Sequence, residues 1–180
     1  LVGSEMCIRD REEAEACRII KTGRIVGNIR DTREKNLDII PCNYFMELAE
    51  LEIKAEKNRA QHDRYKHALE EVAGQYDYCI IDNPPDLGMN VINAMVATDE
   101  IIIPVCLDAY SLDGVTDLAA TIQAIREYTN PDLKIAGILL MRYNPRTPIS
   151  KIIREDAEAM AAELDTLSLI HISEPTRQEA

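Results

Sequence analysis

One acidic residue at the end of an apolar run is the first candidate for chemistry in this sequence. The stretch "YDYCIIDNPPDLG" covers residues 76–88, and its apolar run stops at Asp82. Because apolar neighbours cannot offset the charge of a carboxylate, Asp82 must be met by a cation, by water or by hydrogen-bond donors. A carboxylate at a strand tip holds magnesium in nucleotide hydrolases, often through a water molecule. Pro84 and Pro85 then stiffen the loop, and Gly88 permits a close approach or a positive φ.

Apolar runs alternate with helical periodicity, and these elements would position Asp82. The β-prone runs cover residues 37–43, 76–82, 100–108 and 134–143. Helical periodicity covers residues 60–72, 112–128 and 150–164. This alternation predicts an α/β fold class, a parallel sheet with helices on both faces. Such sheets bind ligands beyond the carboxyl ends of their strands, where Asp82 is expected, although an aspartate that merely caps the next helix is equally compatible with the residues.

The composition limits the functions that the chain can have. Its 180 residues include 32 acidic and 20 basic side chains, for a net charge of −12, and 46% are hydrophobic. This balance predicts one soluble domain and argues against a generally basic nucleic-acid binder. No apolar run approaches the roughly 20 residues of a membrane span, so no membrane association is expected.

The cysteine pattern indicates the redox compartment of the protein and does not indicate a metal site. Five cysteines without CxxC spacing predict reduced thiols in a cytoplasmic protein, and structural zinc is not expected. Cys42, Cys79 and Cys106 fall on predicted strands, where cysteine is usually a small buried hydrophobe.

Both ends of the chain have the character of translated adapter DNA. "LVGSEMCIRD" at the start and "LSLIHISEPT" from residue 167 can be encoded by one short DNA and by its reverse complement. This pair resembles the transposon-end adapter used in preparing sequencing libraries. We therefore expect residues 1–11 and 167–180 to lie outside the domain, and residues 12–166 to hold a domain truncated at both ends.

Four consecutive segments carry a family resemblance: "LDIIPCNYFMELAELEI", "YDYCIIDNPPDLGMNVINAMVATDEIIIPV", "YSLDGVTDLAATIQAI" and "GILLMRYNPRTPISKIIRED". They resemble the ParA-type (Soj-like) partition ATPases, of the deviant Walker-A group that also holds MinD and nitrogenase iron protein. The likeness covers nearly all of residues 38–164 and implies an incomplete P-loop NTPase-like domain. It further implies a magnesium-dependent ATPase that forms a homodimer around ATP and binds DNA non-specifically. Such a protein acts in plasmid or chromosome partitioning or in mobile-element maintenance, with a ParB-like partner protein.

Family roles carry over only where this chain matches the family. Asp82 is similar to the Walker B acid, the catalytic and magnesium-holding residue, and contacts the metal through water. Pro84, Pro85 and Gly88 match the switch-like loop behind it and are assigned to cofactor binding. Met141 stands where some relatives have a purine-contacting asparagine, so recognition of the base is expected to rest on backbone groups.

A basic cluster follows the last predicted strand of this acidic chain: Arg142, Arg146, Lys151 and Arg154. Ordinary surface charge and a phosphate-contacting patch both explain such a cluster. The resemblance favours the patch. It assigns Arg142 to the nucleotide, and Arg146, Lys151 and Arg154 to DNA.

The chain contains no phosphate loop of the GxxxxGK[ST] kind. "KTGRIVGN" (residues 21–28) has a lysine and glycines, but no predicted strand precedes it and its glycine spacing is wrong. In the family this loop follows the first strand, upstream of everything seen here. We therefore expect the middle and later part of an ATPase, marginal folding and no ATP binding by this chain. The alternative is a non-catalytic regulatory or interaction protein that keeps the fold without hydrolysing ATP.

Overall fold

The computed structural model describes residues 13–106, 111–141, 154, 155, 158 and 169–171. The chain divides into two compact units, Leu1–Ala97 and Thr98–Ala180. None of the helices in the described ranges has the length and hydrophobicity of a transmembrane segment.

The first unit is mainly helical. Its elements are α1 (Glu15–Thr22), β1 (Arg30–Asp31), β2 (Asp38–Ile39), α2 (Met46–Ala55), α3 (Arg64–Glu70) and α4 (Met89–Ala97). The two short strands pair antiparallel, with Arg30 opposite Ile39. Buried apolar side chains of all four helices form one core, which includes Cys17, Ile20, Ile53, Ala68 and Ala94.

The end of α1 is determined by a glycine. Gly23 adopts φ 69°, and its N–H donates to the Ile19 carbonyl at 2.7 Å. This left-handed conformation costs a residue with a Cβ about 1 kcal/mol or more, so glycine is the favoured helix terminator here. The chain can therefore leave α1 and turn back without an unsatisfied backbone carbonyl.

The second unit is a parallel sheet with a crossover helix. Its elements are β3 (Glu100–Cys106), α5 (Ser111–Tyr128), β4 (Lys134–Met141) and β5 (Leu169–His171), and the strand order is β3–β4–β5. Glu100 lies opposite Lys134 and Cys106 opposite Met141 in the parallel β3–β4 pair. These strands and α5 confirm the predicted α/β class and the runs predicted at residues 100–108, 134–143 and 112–128. The predicted helix over residues 150–164 lies largely outside the described residues.

Strand β5 lies in the adapter-like end of the chain, which we expected to lie outside the domain. Leu169 pairs with Ile138, and His171 pairs with Leu140, in parallel register. Without β5, β4 would be an edge strand with unpaired N–H and C=O groups, so an apolar β-prone segment can join it whatever its origin. The adapter origin of both ends stays a prediction.

Two predicted strands are wrong. Residues 76–82 form no strand, and the side chains of Tyr78 and Ile80 are 89% and 92% exposed. Residues 37–43 contribute only the two-residue β2, in an antiparallel pair. A strand needs a hydrogen-bonded neighbour, and no strand among the described residues pairs with residues 76–82. Residues 76–82 therefore stay outside any sheet despite their high β propensity.

The prediction of buried strand cysteines is wrong for two of the three residues. Cys42 and Cys79 are exposed and lie outside strands, because the runs that carry them do not enter a sheet. Cys106 does end strand β3, as predicted.

Candidate functional site

Asp82 lies in an exposed segment between α3 and α4. It forms no hydrogen bond or ion pair with another residue that the structure describes. Helix α4 begins only at Met89, so Asp82 is not its cap. The helix-cap interpretation is therefore not supported, and the carboxylate faces solvent. Its magnesium role stays a prediction.

At the end of the loop that follows Asp82, the backbone is hydrogen-bonded to a carboxylate from another helix. Glu50, on α2, accepts hydrogen bonds from Met89 N at 3.2 Å and from Asn90 N at 3.0 Å. Asp86 Oδ1 accepts from Gly88 N at 2.8 Å. Glu50 therefore satisfies the first two N–H groups of α4 and Asp86 the N–H just before the helix, and their charge complements the positive end of the helix dipole.

Gly88 serves close approach rather than unusual backbone geometry. Its φ is not positive, but a Cβ there would lie 2.8 Å from Glu50 Oε2 and 2.8 Å from Asp86 Oδ1. Pro84 and Pro85 are exposed and precede this anchored turn. Of the two reasons that the sequence offered for a glycine, the structure selects the close approach.

Sequence reasoning missed Glu50. The acidic helix that carries it reads as an ordinary solvated face, yet the Glu50 side chain is only 16% exposed. No local signal marks this residue, because its partners Met89 and Asn90 lie about 40 positions away. Only the packing of α2 against α4 creates the contact.

We expect Glu50→Ala to loosen the first turn of α4 by about 1 kcal/mol, the usual cost of removing a cap. Glu50→Gln should cost less, because one amide oxygen still accepts a hydrogen bond. Hydrogen exchange at the Met89 and Asn90 amides measures the effect, and Glu47→Ala, an exposed position on the same helix, is the control. Unchanged exchange in Glu50→Ala would contradict the capping role.

Buried amides hold α4 against the segment before α3. Asn93 is fully buried; its Nδ2 donates to Gln61 O at 2.8 Å and to Met89 O at 2.9 Å, and its Oδ1 accepts from Arg64 N at 2.8 Å. Tyr65 Oη donates a short hydrogen bond to Asn90 Oδ1. These bonds satisfy every polar atom of the Asn93 side chain, so they fix where α4 begins relative to the loop behind Asp82.

The segment "KTGRIVGN" has the wrong geometry for a phosphate loop. Lys21 lies in the last turn of α1, where helix carbonyls concentrate negative charge, whereas phosphates bind at helix N-termini. Its Nζ contacts Glu52 at 2.7 Å and Glu13 at 2.9 Å, and these bonds raise the pKa of Lys21. A neighbouring cavity of about 250 Å³, lined by Lys21, Glu52, Ile53 and Glu56, has an acidic wall. Neither feature suits a triphosphate.

The other assigned residues belong to the second unit. Met141 is half-buried at the end of β4, opposite Cys106. Arg154 is exposed and its Nε lies 2.6 Å from Glu158 Oε1, one helical turn away. The predicted sites Arg142, Arg146 and Lys151 lie outside the described residues. Asp82 belongs to the first unit and Met141 to the second.

The described residues do not form a complete nucleotide and magnesium site. Among them, no group of three or more His, Cys, Asp or Glu side chains could hold a metal ion. Asp82 is a single exposed carboxylate, which fits a metal contact through water but cannot hold magnesium alone. In the part of the chain that the structure describes, no glycine-rich cradle of N–H groups accompanies Asp82.

The chain resembles several known proteins. A family model described as an AAA domain matches residues 4–135. Sporulation initiation inhibitor protein Soj of Bacillus subtilis is 36% identical over 140 residues, which are 78% of this chain and 54% of that protein. Chromosome partitioning protein ParA of Myxococcus xanthus is 36% identical over 128 residues, which are 71% of this chain and 44% of that protein.

Solved structures show the same fold. Cobyrinic acid a,c-diamide synthase from Mycobacterium smegmatis, with bound ADP and magnesium, superimposes with a TM-score of 0.73 at 25% identity. The superposition covers 84% of this chain and 60% of that one. The nucleotide and the metal are properties of that structure.

Fold and matches together define the class: this is an α/β chain of the P-loop NTPase-like kind and a member of the AAA domain family. Within that class, the chain belongs to the ParA/Soj-type partition ATPases. It spans about half the length of the curated relatives it matches, 54% of one and 44% of another.

Proposed function

We propose that the whole protein is a magnesium-dependent ATPase of plasmid or chromosome partitioning, or of mobile-element maintenance. One observation carries the proposal: in a chain of this family, Asp82 is exposed, is not used by the fold, and is followed by a loop that Glu50 and Asp86 anchor at Gly88. A carboxylate that stabilises nothing in the fold is available to a ligand. Asp82 would accept hydrogen bonds from water bound to magnesium.

The proposal includes a homodimer formed with ATP, non-specific DNA binding and a ParB-like partner protein. The relatives named for chromosome partitioning support a partition role, and these finer properties are inferred from the family. The direct test is ATP hydrolysis by the whole protein with and without magnesium. Absence of hydrolysis there would favour the non-catalytic regulatory alternative.

This chain alone should not bind ATP. It lacks the backbone donors and the lysine that hold most of the nucleotide's charge in P-loop proteins. Calorimetry at millimolar ATP and magnesium should therefore give no binding heat, while the whole protein should bind under the same conditions. Micromolar, magnesium-dependent binding by residues 12–166 would contradict this expectation and would require a phosphate site within the chain.

DNA binding should depend on a few focused cations, because the net charge of −12 repels a polyanion. Arg154 is already paired with Glu158, but both side chains are about half exposed. Exposed ion pairs contribute about 0–1 kcal/mol, so Arg154 can exchange Glu158 for a DNA phosphate at little cost. A monomer with about three such contacts binds weakly at physiological salt, and a dimer would double them.

We expect Lys151→Glu combined with Arg154→Glu to abolish ATP-dependent DNA retention by the whole protein and to spare nucleotide binding. The measurement is a salt titration with and without ATP, since each lost phosphate contact lowers the salt slope by about 0.9. Lys35→Glu combined with Lys57→Glu is the matched control, because both lysines are exposed and the change in net charge is the same. Equal retention and slope in parent and Lys151/Arg154 variant would place the DNA surface elsewhere.

A further inference from the structure

Two cysteines that lie 25 positions apart in the sequence meet in the first unit. Cys17 is on α1, and Cys42 is in the segment that leads to α2. Their backbones are adjacent, since Ala16 N donates to Pro41 O at 3.0 Å. Both thiols contact Asn43: Cys17 Sγ lies 3.6 Å from its Oδ1, and Cys42 Sγ lies 3.7 Å from its backbone O. The two thiols therefore approach each other on either side of Asn43, close enough for each to shift the pKa of the other.

The environments of the two thiols differ. The Cys17 side chain is in the core and 0% exposed, whereas Cys42 is exposed. Interaction with the neighbouring Cys17 thiol lowers the pKa of Cys42 to about 7. The same interaction, together with burial, raises the pKa of Cys17. At neutral pH the accessible sulfur therefore has thiolate character and the inaccessible one keeps its proton.

We propose that Cys42 is a site of reversible oxidative modification and that Cys17 is its resolving thiol, so that a low-molecular-weight disulfide converts the pair into an intramolecular disulfide. In the first step the Cys42 thiolate attacks the disulfide, forms a mixed disulfide and releases one small thiolate. In the second step Cys17 attacks the Cys42 sulfur, and the proton of Cys17 passes to the small thiolate that leaves. The oxidant is thereby reduced to two thiols while the pair is oxidised to one disulfide.

The contacts determine the order of the two steps. Only Cys42 can meet an oxidant, because Cys17 has no exposed surface. Once Cys42 is in a mixed disulfide it carries no negative charge, so the largest cause that raises the pKa of Cys17 is removed. Cys17 then lies on a backbone segment that is hydrogen-bonded to the segment of Cys42, on the same Asn43 that Cys42 contacts.

Oxidation should change the segment around Asn43. The same Asn43 Oδ1 that contacts Cys17 also accepts from Phe45 N, the residue before α2, at 3.3 Å. The disulfide would tie α1 to the entry of α2 and close a loop of the intervening residues. A cross-link of this kind restricts the unfolded chain, so the oxidised protein should unfold at a higher urea concentration than the reduced protein.

The test treats the full chain with glutathione disulfide at pH 7 and maps its peptides without reduction. We expect a Cys17–Cys42 cross-linked peptide. We also expect Cys42 to react about tenfold faster than Cys79. Cys79 is an exposed residue, but partial burial raises the pKa of its thiol, so less of it is thiolate at pH 7. The larger thiolate fraction of Cys42 is partly offset by the lower nucleophilicity of a thiolate that has a lower pKa.

Variants separate the two roles. In Cys17→Ala, Cys42 should stop at the mixed disulfide with glutathione, and in Cys42→Ser, Cys17 should stay unmodified. Cys79→Ser is the matched control and should leave the cross-link unchanged. If circular dichroism shows that a variant does not fold, peptide mapping of the unaltered chain still tests whether the Cys17–Cys42 disulfide forms. Equal rates at Cys42 and Cys79 with no Cys17–Cys42 peptide would overturn the proposal.

Discussion

Asp82→Ala in the whole protein is expected to lower ATPase turnover by on the order of a hundredfold or more, in line with losses on removal of single charge-stabilising groups. Nucleotide binding should weaken less than turnover, because most of the phosphate charge is held by the clamp. Asp82 is exposed and makes no hydrogen bond or ion pair with another described residue, so its removal should not destabilise the fold. The loss should therefore appear in kcat at unchanged thermal stability.

The control for this variant is Asp77→Ala, an exposed aspartate in the same segment. It should keep parental turnover, because it lies outside the loop that matches the family. Hydrolysis rates at saturating ATP, with a magnesium titration for each variant, separate weaker metal binding from slower chemistry. If Asp82→Ala hydrolyses ATP at the parental rate, the assignment of Asp82 to the site is wrong.

Arg64→Leu is expected to destabilise the first unit by about 3 kcal/mol, roughly a hundredfold in its opening equilibrium. The Arg64 side chain is 1% exposed and its guanidinium donates to Glu56 Oε2 at 2.6 Å, to Ala60 O at 2.6 Å and to Lys21 O at 3.1 Å. Leucine removes the side-chain donor from the Ala60 and Lys21 carbonyls, which are only partly shielded from water. Because Glu56 is 34% exposed, water partly compensates its charge and keeps the cost below that of a fully buried pair.

Hydrogen exchange along α1 and α3 measures this loss. Arg64→Lys should lose an intermediate amount of stability, because an ammonium keeps the positive charge but cannot make all three hydrogen bonds of the guanidinium. Arg24→Leu is the matched control: Arg24 contacts Glu71 at 3.0 Å but its side chain is 70% exposed, so the cost should stay below about 1 kcal/mol. Similar protection in Arg64→Leu and Arg24→Leu would show that the buried arginine is not a structural anchor.

The second unit was the most predictable part of the fold. The runs at residues 100–108 and 134–143 combine β-branched residues with near-continuous hydrophobicity, and a segment of helical periodicity over residues 112–128 separates them. That pattern has one common solution, two parallel strands joined by a helix, and β3, α5 and β4 adopt it. Local propensity and tertiary packing agree there.

The first unit was less predictable because its polar contacts are long-range. From the sequence, Arg64 has the pattern of an ordinary charged residue on a helix surface, and Glu50 has that of a solvent-exposed acid. In the structure, Arg64 is buried and Glu50 caps α4. No spacing rule reveals such contacts, since the partners are brought together by helix packing. The same packing joins Cys17 to Cys42, which the absence of a CxxC pattern had concealed.

By itself the sequence determined the α/β class, the parallel β3–β4 pair, the family resemblance and the choice of Asp82 as the candidate acid. These depend on periodicity and on the order of residues within short segments, which the chain carries locally. Only the tertiary structure decided that residues 76–82 pair with none of the described strands, that Gly88 serves a close approach to Glu50, and that Cys42 and Cys17 meet at Asn43. A strand exists only beside a hydrogen-bonded neighbour, and a buried charge or thiol is defined by the atoms around it, so these properties belong to the packed chain and not to any segment of it.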